Sequence, residues 1–215
     1  MNCIELRNVD YIFKGKKILT NINLQIKSGE FITITGHSGS GKSTVLRLLN
    51  NLISPTAGEI LFKGQNITNY EPTLLRQKIS LCFQMPNLFQ TTVLENLAFP
   101  FLIRKKPVER KLIEQRLGML NLSPDLLEKE AEKISGGEKQ RIALIRSLLF
   151  TPEVLLLDEV TSALDEENTL AVEKLIEDLN QRGVTILWVT HNLEQTERLN
   201  TRKIKIEHGV LWEGE

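Results

Sequence analysis

Gly36-His37-Ser38-Gly39-Ser40-Gly41-Lys42-Ser43 is the stretch that decides how this chain folds. It follows the frame G-x-x-x-x-G-K-[ST], with the apolar run Phe31 to Ile34 before it and Val45, Leu46, Leu48 and Leu49 at helical spacing after it. Strand, loop and helix in that order are the context such a frame requires. Glycines at 36, 39 and 41 permit backbone angles closed to other residues, so successive N–H groups turn inward around a polyphosphate. Ser38 and Ser40 belong to the same cradle, and the helix beginning near Lys42 adds the positive end of its dipole. In this frame Lys42 reaches the β and γ phosphates, the Ser43 hydroxyl ligates Mg2+, and Thr44 assists at the α phosphate. An ordinary Gly/Ser-rich turn before a helix would not need the full frame and both flanks.

Working outward, Val154-Leu155-Leu156-Leu157-Asp158-Glu159 reads as a buried parallel strand that ends in two acids. Open α/β sheets place their ligands at strand ends. Asp158 is expected as an indirect partner of Mg2+, and Glu159 as the general base that polarises an attacking water. A surface acidic pair is common in isolation, but less so in a chain that also carries a phosphate loop.

A second glycine block, Ser135-Gly136-Gly137-Glu138, makes a capping box: the Ser135 hydroxyl accepts from the Glu138 amide and the Glu138 carboxylate reaches back. The spacing predicts a helix from about Gly136 to Phe150, with Ile142, Ile145, Leu148 and Leu149 on its apolar face. As pure structure this is a well-capped helix. Two glycines in its first turn cost ~1 kcal/mol each against alanine, however. They make sense if bare amides must approach an anion, through Ser135 and the Gly137 N–H.

The run Ser135-Gly136-Gly137-Glu138-Lys139-Gln140-Arg141 resembles the signature of the ABC-type ATPases, and the other motifs of that family follow in its order. Gln84, after Leu81-Cys82-Phe83, resembles the Q-loop glutamine. Ser162-Ala163-Leu164-Asp165 resembles the D-loop, and His191, after Leu187-Trp188-Val189-Thr190, the switch histidine. The likeness covers essentially the whole chain. It implies a P-loop NTPase (RecA-like) α/β fold, with a parallel sheet core, an N-terminal antiparallel β-subdomain and an inserted α-helical subdomain. The implied boundaries are 1–85 and 150–215 for the core and β-subdomain, and about 86–149 for the helical part. The implied ligands are ATP and Mg2+. Gln84 would contact Mg2+ or the attacking water, and His191 the γ phosphate. Ser135, Gly137 and Asp165 would act on a nucleotide held by a second copy, in a head-to-tail dimer. An aromatic near the N-terminus stacks on adenine in this family; Phe13 is preferred, with Tyr11 as its rival, since the two share a strand parity.

Some positions depart from the family's common pattern. Ile134 stands for leucine and Glu138 for glutamine in the signature, Val160 for a proline after Glu159, and His37 for a proline in the phosphate loop, with its side chain expected to face solvent.

The chain has 215 residues, 41% of them hydrophobic, enough for a real core. Positive and negative side chains number 27 each, which argues against broad nucleic-acid binding. Cys3 and Cys82 show no metal-like spacing and fit reduced thiols. The N-terminus lacks a basic region followed by an apolar run, and the longest apolar stretches fall far below the ~20 residues that span a bilayer. The membrane part of any transporter is therefore expected from a separate permease, with this subunit peripheral on the cytoplasmic face of the cell membrane. The aromatic-rich stretch from Pro86 to Leu102, directly after Gln84, divides between lobe core and a groove for a helix of that permease.

Coarse periodicity places an antiparallel sheet over residues 1–30, with turns at Lys14-Gly15-Lys16 and Lys27-Ser28-Gly29, later joined by Glu59 to Phe62. Helical spacing follows from Pro86, with Pro107 at a helix start and Leu112, Ile113, Leu117 and Leu120 on one face. Glu128 to Lys133 reads as a solvated helix face. A helix near Glu166 to Gln181, a strand over Val184 to Val189, and a hairpin through His208-Gly209 complete the pattern. Within the family, Pro55-Thr56-Ala57-Gly58, Leu94 to Pro100 and Leu187 to His191 resemble small bacterial cassettes of proposed iron export systems; Phe83-Gln84-Met85-Pro86-Asn87 also suggests phosphate- or amino-acid-type importers, and a soluble ABC ATPase outside transport is the further alternative.

Overall fold

Three hairpins in this chain turn through a residue followed by glycine, Lys14-Gly15, Lys63-Gly64 and His208-Gly209, each residue at positive φ. This is the turn whose twist matches that of paired strands. The computed structural model describes residues 2–199 and 201–213. The first hairpin joins β1 (Asn2–Phe13) to β2 (Lys16–Lys27), and β4 (Ala57–Phe62) with the short β5 (Gln65–Asn66) extends it into an antiparallel sheet ordered β2-β1-β4-β5.

The second sheet holds β3 (Phe31–Thr35), β6 (Ile79–Cys82), β7 (Val154–Asp158), β8 (Thr185–Val189), β9 (Arg202–Glu207) and β10 (Val210–Glu213), in the order β10-β9-β3-β8-β7-β6. β3 runs parallel to β8 and β9, and β7 to β8. β7 and β8 are buried at every residue, as strands covered on both faces must be. Because β3, β7 and β8 point the same way, the phosphate loop, the Asp158-Glu159 pair and His191 emerge at one edge of the sheet. The helices are α1 (Lys42–Leu49), α2 (Pro72–Lys78), α3 (Val93–Leu102), α4 (Arg110–Met119), α5 (Gly136–Leu148), α6 (Glu166–Gln181) and α7 (Leu193–Arg198).

Two compact units are formed. One comprises the chain up to Leu81, Pro152–Glu159 and the part from Leu179 on; the other comprises Cys82–Thr151 and Val160–Asp178. Residues 160–178, which the sequence boundaries place with the core, group with the helical unit.

Two local expectations are corrected. Pro107 does not start a helix: α4 begins three residues later at Arg110, after Glu109 with no side-chain cap. Ile113, Leu117 and Leu120 are nevertheless buried together. Glu128 to Lys133 is not a helix face but the junction of two short 3-10 turns. Ala131 is buried there and Glu130 bridges to Thr92, because the segment is pinned to the start of α3.

The His208-Gly209 turn is stitched to the phosphate loop and to β2. The Gly209 N–H donates to the Ser40 carbonyl (3.2 Å), and the Thr20 N–H donates to the Gly209 carbonyl (2.8 Å). At Gly209 a Cβ would sit 2.3 Å from the Ile18 carbonyl oxygen, on a backbone at φ 77°. Gly209→Ala is therefore expected to destabilise the fold by about 2–3 kcal/mol, read as a lower urea midpoint at unchanged slope.

Candidate nucleotide site and the signature helix

The phosphate loop connects β3 to α1, and its backbone is open to an anion. α1 starts from Gly41 at φ 110° with no side-chain cap, so the N–H groups of its first turn lack protein acceptors within the helix. Glycine is required at two points for lack of space: a Cβ at Gly36 would meet the Ile206 carbonyl oxygen at 2.1 Å, and one at Gly41 the Leu19 Cδ2 at 2.6 Å. Ser40 Oγ is buried and has no hydrogen-bond partner. Lys42 folds back, its Nζ donating to the carbonyls of Gly36 and His37 at 2.9 Å each. Burial pushes the Lys42 ammonium below its ordinary pKa, against the pull of Glu159 and Asp158. An uncapped helix start, an orphan hydroxyl and a buried cation together suit a polyphosphate.

At the end of β7 the Ser43 hydroxyl donates to Asp158 Oδ1 at 2.9 Å. Burial raises the Asp158 pKa, the Ser43 bond lowers it, and neighbouring Glu159 raises it further. No group of three or more His, Cys, Asp or Glu among the described residues is placed to hold a metal. The oxygens of Ser43 and Asp158 suit a hard cation that takes its remaining ligands from phosphate and water, as Mg2+ does. Glu159 stands in the left-handed region at φ 49°, its N–H bonded to the Val189 carbonyl at 3.0 Å. His191 Nε2 lies 2.8 Å from Glu159 Oε1. The loop carrying His191 is braced by neighbours the sequence did not single out. Thr190 Oγ1 donates to Gln195 Oε1 (2.6 Å), and the Asn192 N–H donates to Thr190 Oγ1 (3.1 Å).

His37 is exposed, as expected, with its ring 4.9 Å from that of His208. Register shifts on both sides of Tyr11 break the strand alternation, so Tyr11 packs on the core while Phe13 is 54% exposed at the strand tip.

In the helical unit the capping box at α5 is complete. The Ser135 N–H donates to Glu138 Oε2 at 2.7 Å, and the Glu138 N–H donates to Ser135 Oγ at 3.2 Å. Nothing lies within 4 Å of a Cβ placed on Gly136, whereas one on Gly137 would touch Leu164 at 3.3 Å and the Ala163 carbonyl at 3.5 Å. The signature and the D-loop are thus neighbours. Asp165 Oδ1 caps α6, accepting from the Asn168 N–H (2.9 Å) and Nδ2 (2.8 Å), and Arg141 Nη1 donates to Asn168 Oδ1 at 2.5 Å. Sequence reasoning misses Asn168, although Asp165 three residues before it at a helix start is an N-cap signal. Gln84 lies in the same unit, in the loop that leaves β6.

Both cysteines are buried and free, and burial pushes the Cys82 thiol up to about 11, which makes it unreactive.

Residues 19–162 match the family described as ABC transporter. The chain belongs to that family. It is an ATP-binding-cassette ATPase, with ATP as its nucleotide and Mg2+ as its metal. The "Probable iron export ATP-binding protein FetA" of Escherichia coli is 45% identical over 89% of this chain and 86% of that protein. The "Methionine import ATP-binding protein MetN 1" of Bacillus cereus is 40% identical over 98% of the chain, which spans 64% of that longer protein. Among solved structures, the ATP-binding cassette MJ0796, in a dimeric post-hydrolysis state bound to ADP and Pi, superposes with a TM-score of 0.89 at 32% identity, over 99% of this chain and 97% of that one. These likenesses bear out the α/β cassette fold expected from the motifs.

The capping box also yields a pH test. The backbone bond from Ser135 holds the Glu138 carboxyl below its ordinary value near 4.5, against the effect of burial. A depressed carboxylate stabilises the fold above its unfolded pKa, and that contribution is lost as pH falls through the folded one. Glu138→Gln is expected to be less stable than the parent by about 0.5–1 kcal/mol at neutral pH. In chemical denaturation across pH, the difference should vanish below the carboxylate range.

Proposed function

We propose that two copies of this chain bind MgATP head to tail, each nucleotide lying between the phosphate loop of one copy and the Ser135 signature of the other. The observation that carries this is the open space at Gly136: its glycine answers no packing demand, yet it weakens the start of α5. Bare amides there are useful to an anion brought by another molecule. The dimeric state of the MJ0796 cassette supports the same arrangement.

In this reading the amides of Gly36 to Gly41 and the Lys42 ammonium hold the β and γ phosphates, and Ser38, Ser40 and Thr44 complete the cradle. Ser43 and Gln84, with Asp158 as an indirect partner, would hold Mg2+, which would supply positive charge to the transferring phosphoryl group. Glu159 takes a proton from the attacking water, and His191, already bonded to Glu159, orients that carboxylate and reaches the γ phosphate. Phe13, projecting from its strand tip, stacks on adenine. Ser135, Gly137 and Asp165 act on the partner copy's nucleotide. Hydrolysis and loss of phosphate remove the anion that bridges the two copies, and the opening stroke passes to a membrane permease.

α3 offers that permease a seat. Its Val93, Leu97 and Phe101 are buried at i, i+4, i+8 spacing, while Phe99, Leu102 and Ile103 on the other side are exposed, with Phe89 packed edge-on against Phe99. Among the described residues no helix is long and apolar enough to cross a membrane. In this reading the subunit works peripherally, on the cytoplasmic face of the cell membrane, as the likeness to ATP-binding subunits of transporters supports. For cargo we favour metal, as iron, moving outward, on the likeness to FetA across nearly the full length of both proteins. Amino-acid import is the second reading, motivated by MetN.

Glu159→Gln should bind ATP, accumulate as a dimer in light scattering and hydrolyse at least about 100-fold more slowly. Full turnover would remove Glu159 as the base. Ser135→Arg should abolish the ATP-dependent dimer; a variant that dimerises and turns over normally would overturn the composite site. Reconstituted with the permease that co-purifies with it, the ATPase should be stimulated by iron(II); stimulation by methionine instead would favour import.

A further inference from the structure

Helix α5 does more than present the signature: its far side grips the loop that carries Gln84. Gln140 Nε2 donates to the Phe83 carbonyl at 3.2 Å, just before Gln84, and Arg146 Nη2 donates to the Asn87 carbonyl at 2.6 Å, just after it. Gln140 and Arg146 stand six residues apart on α5, so they reach the loop at two separate points. The Arg146 guanidinium also lies 5.4 Å from the centroid of the Phe89 ring, and its Nη1 donates to Asn96 Oδ1 at 3.2 Å. Asn96, fully buried in α3, accepts from the Phe89 N–H (2.8 Å) and donates to the Phe89 carbonyl (3.1 Å). Gln84, Met85 and Pro86 therefore span between two carbonyls that α5 holds in place.

We propose that Arg146, assisted by Gln140, is a positioning residue for Gln84. The proposal rests on Gln84 serving Mg2+ or the attacking water, and it specifies how that glutamine is kept at its post. A three-residue span tied at both ends has little freedom, so Gln84 follows any displacement of α5. Since Ser135 caps α5, the groups that serve the two nucleotides of the dimer share one support.

The test is a double-mutant cycle in kcat, with Mg2+ varied. Arg146→Met should lower kcat about tenfold, leave the KM for ATP within about twofold, and raise the Mg2+ needed for half-maximal rate. Arg146→Lys, which keeps the charge but loses the fork, should recover part of the loss. In a Gln84→Ala background, adding Arg146→Met should change kcat by less than about twofold, because its route of action has gone. Losses that multiply would overturn the proposal and leave Gln84 in its role. Full activity of Gln84→Ala alone would remove both the role and the proposal. Should Arg146→Met fail to fold, Gln140→Ala removes a single hydrogen bond and carries the same cycle: losses that fail to multiply with Gln84→Ala support the proposal, and losses that multiply overturn it.

Discussion

A helix start with no capping side chain, at the head of α1, is the constraint on which the rest of this structure depends. An unpaired buried donor costs about 1–3 kcal/mol, and a helix would ordinarily relieve that cost with a capping side chain. Here Gly41 offers none, and the Lys42 ammonium directs its bonds to the loop's own carbonyls. Holding so unfavourable a loop in shape requires rigid surroundings. The Ile206 carbonyl closes on Gly36, Leu19 closes on Gly41, and the Gly209 amide holds Ser40 from behind. The β-subdomain and the last hairpin thus serve as walls of the phosphate loop.

Electrostatics at the sheet edge follow from the same constraint. Asp158 and Lys42 are both buried, and burial pushes the acid up and the base down, each toward its neutral form. A bound triphosphate with its metal supplies the missing counter-charges, so binding energy comes from groups that are uncomfortable without the ligand. Glu159 is held in a sparsely populated backbone region, where strain of order 1–3 kcal/mol is tolerated because Val189 and His191 fix it from the neighbouring strand.

α5 shows how one element meets two demands. Its first turn is thinned to glycine for an external anion, and a capping box restores the stability lost there. Further along, Gln140 and Arg146 satisfy backbone carbonyls of the Gln84 loop, beside the buried apolar residues of the same helix. Arg141 extends the same logic to the D-loop, reaching Asn168 and through it Asp165. The motifs of the helical unit are thus joined by hydrogen bonds as well as by sequence order.

Much of this was legible in one dimension. The phosphate loop between its strand and helix, the all-apolar strands ending in acids or histidine, α6 over Glu166–Gln181 and the glycine turns are written in spacings of a few residues, because backbone propensity and burial period act at that range. Tertiary structure alone decided that Phe13 and not Tyr11 stands free, since strand bulges broke the alternation that sequence parity assumes. It also decided that α4 starts beyond Pro107, that residues 128–133 are drawn to α3, and that Arg146, Asn96 and Gln140 converge on one loop. Those outcomes depend on partners distant in the chain, and a side chain's hydrogen-bond acceptor cannot be known until packing brings it near.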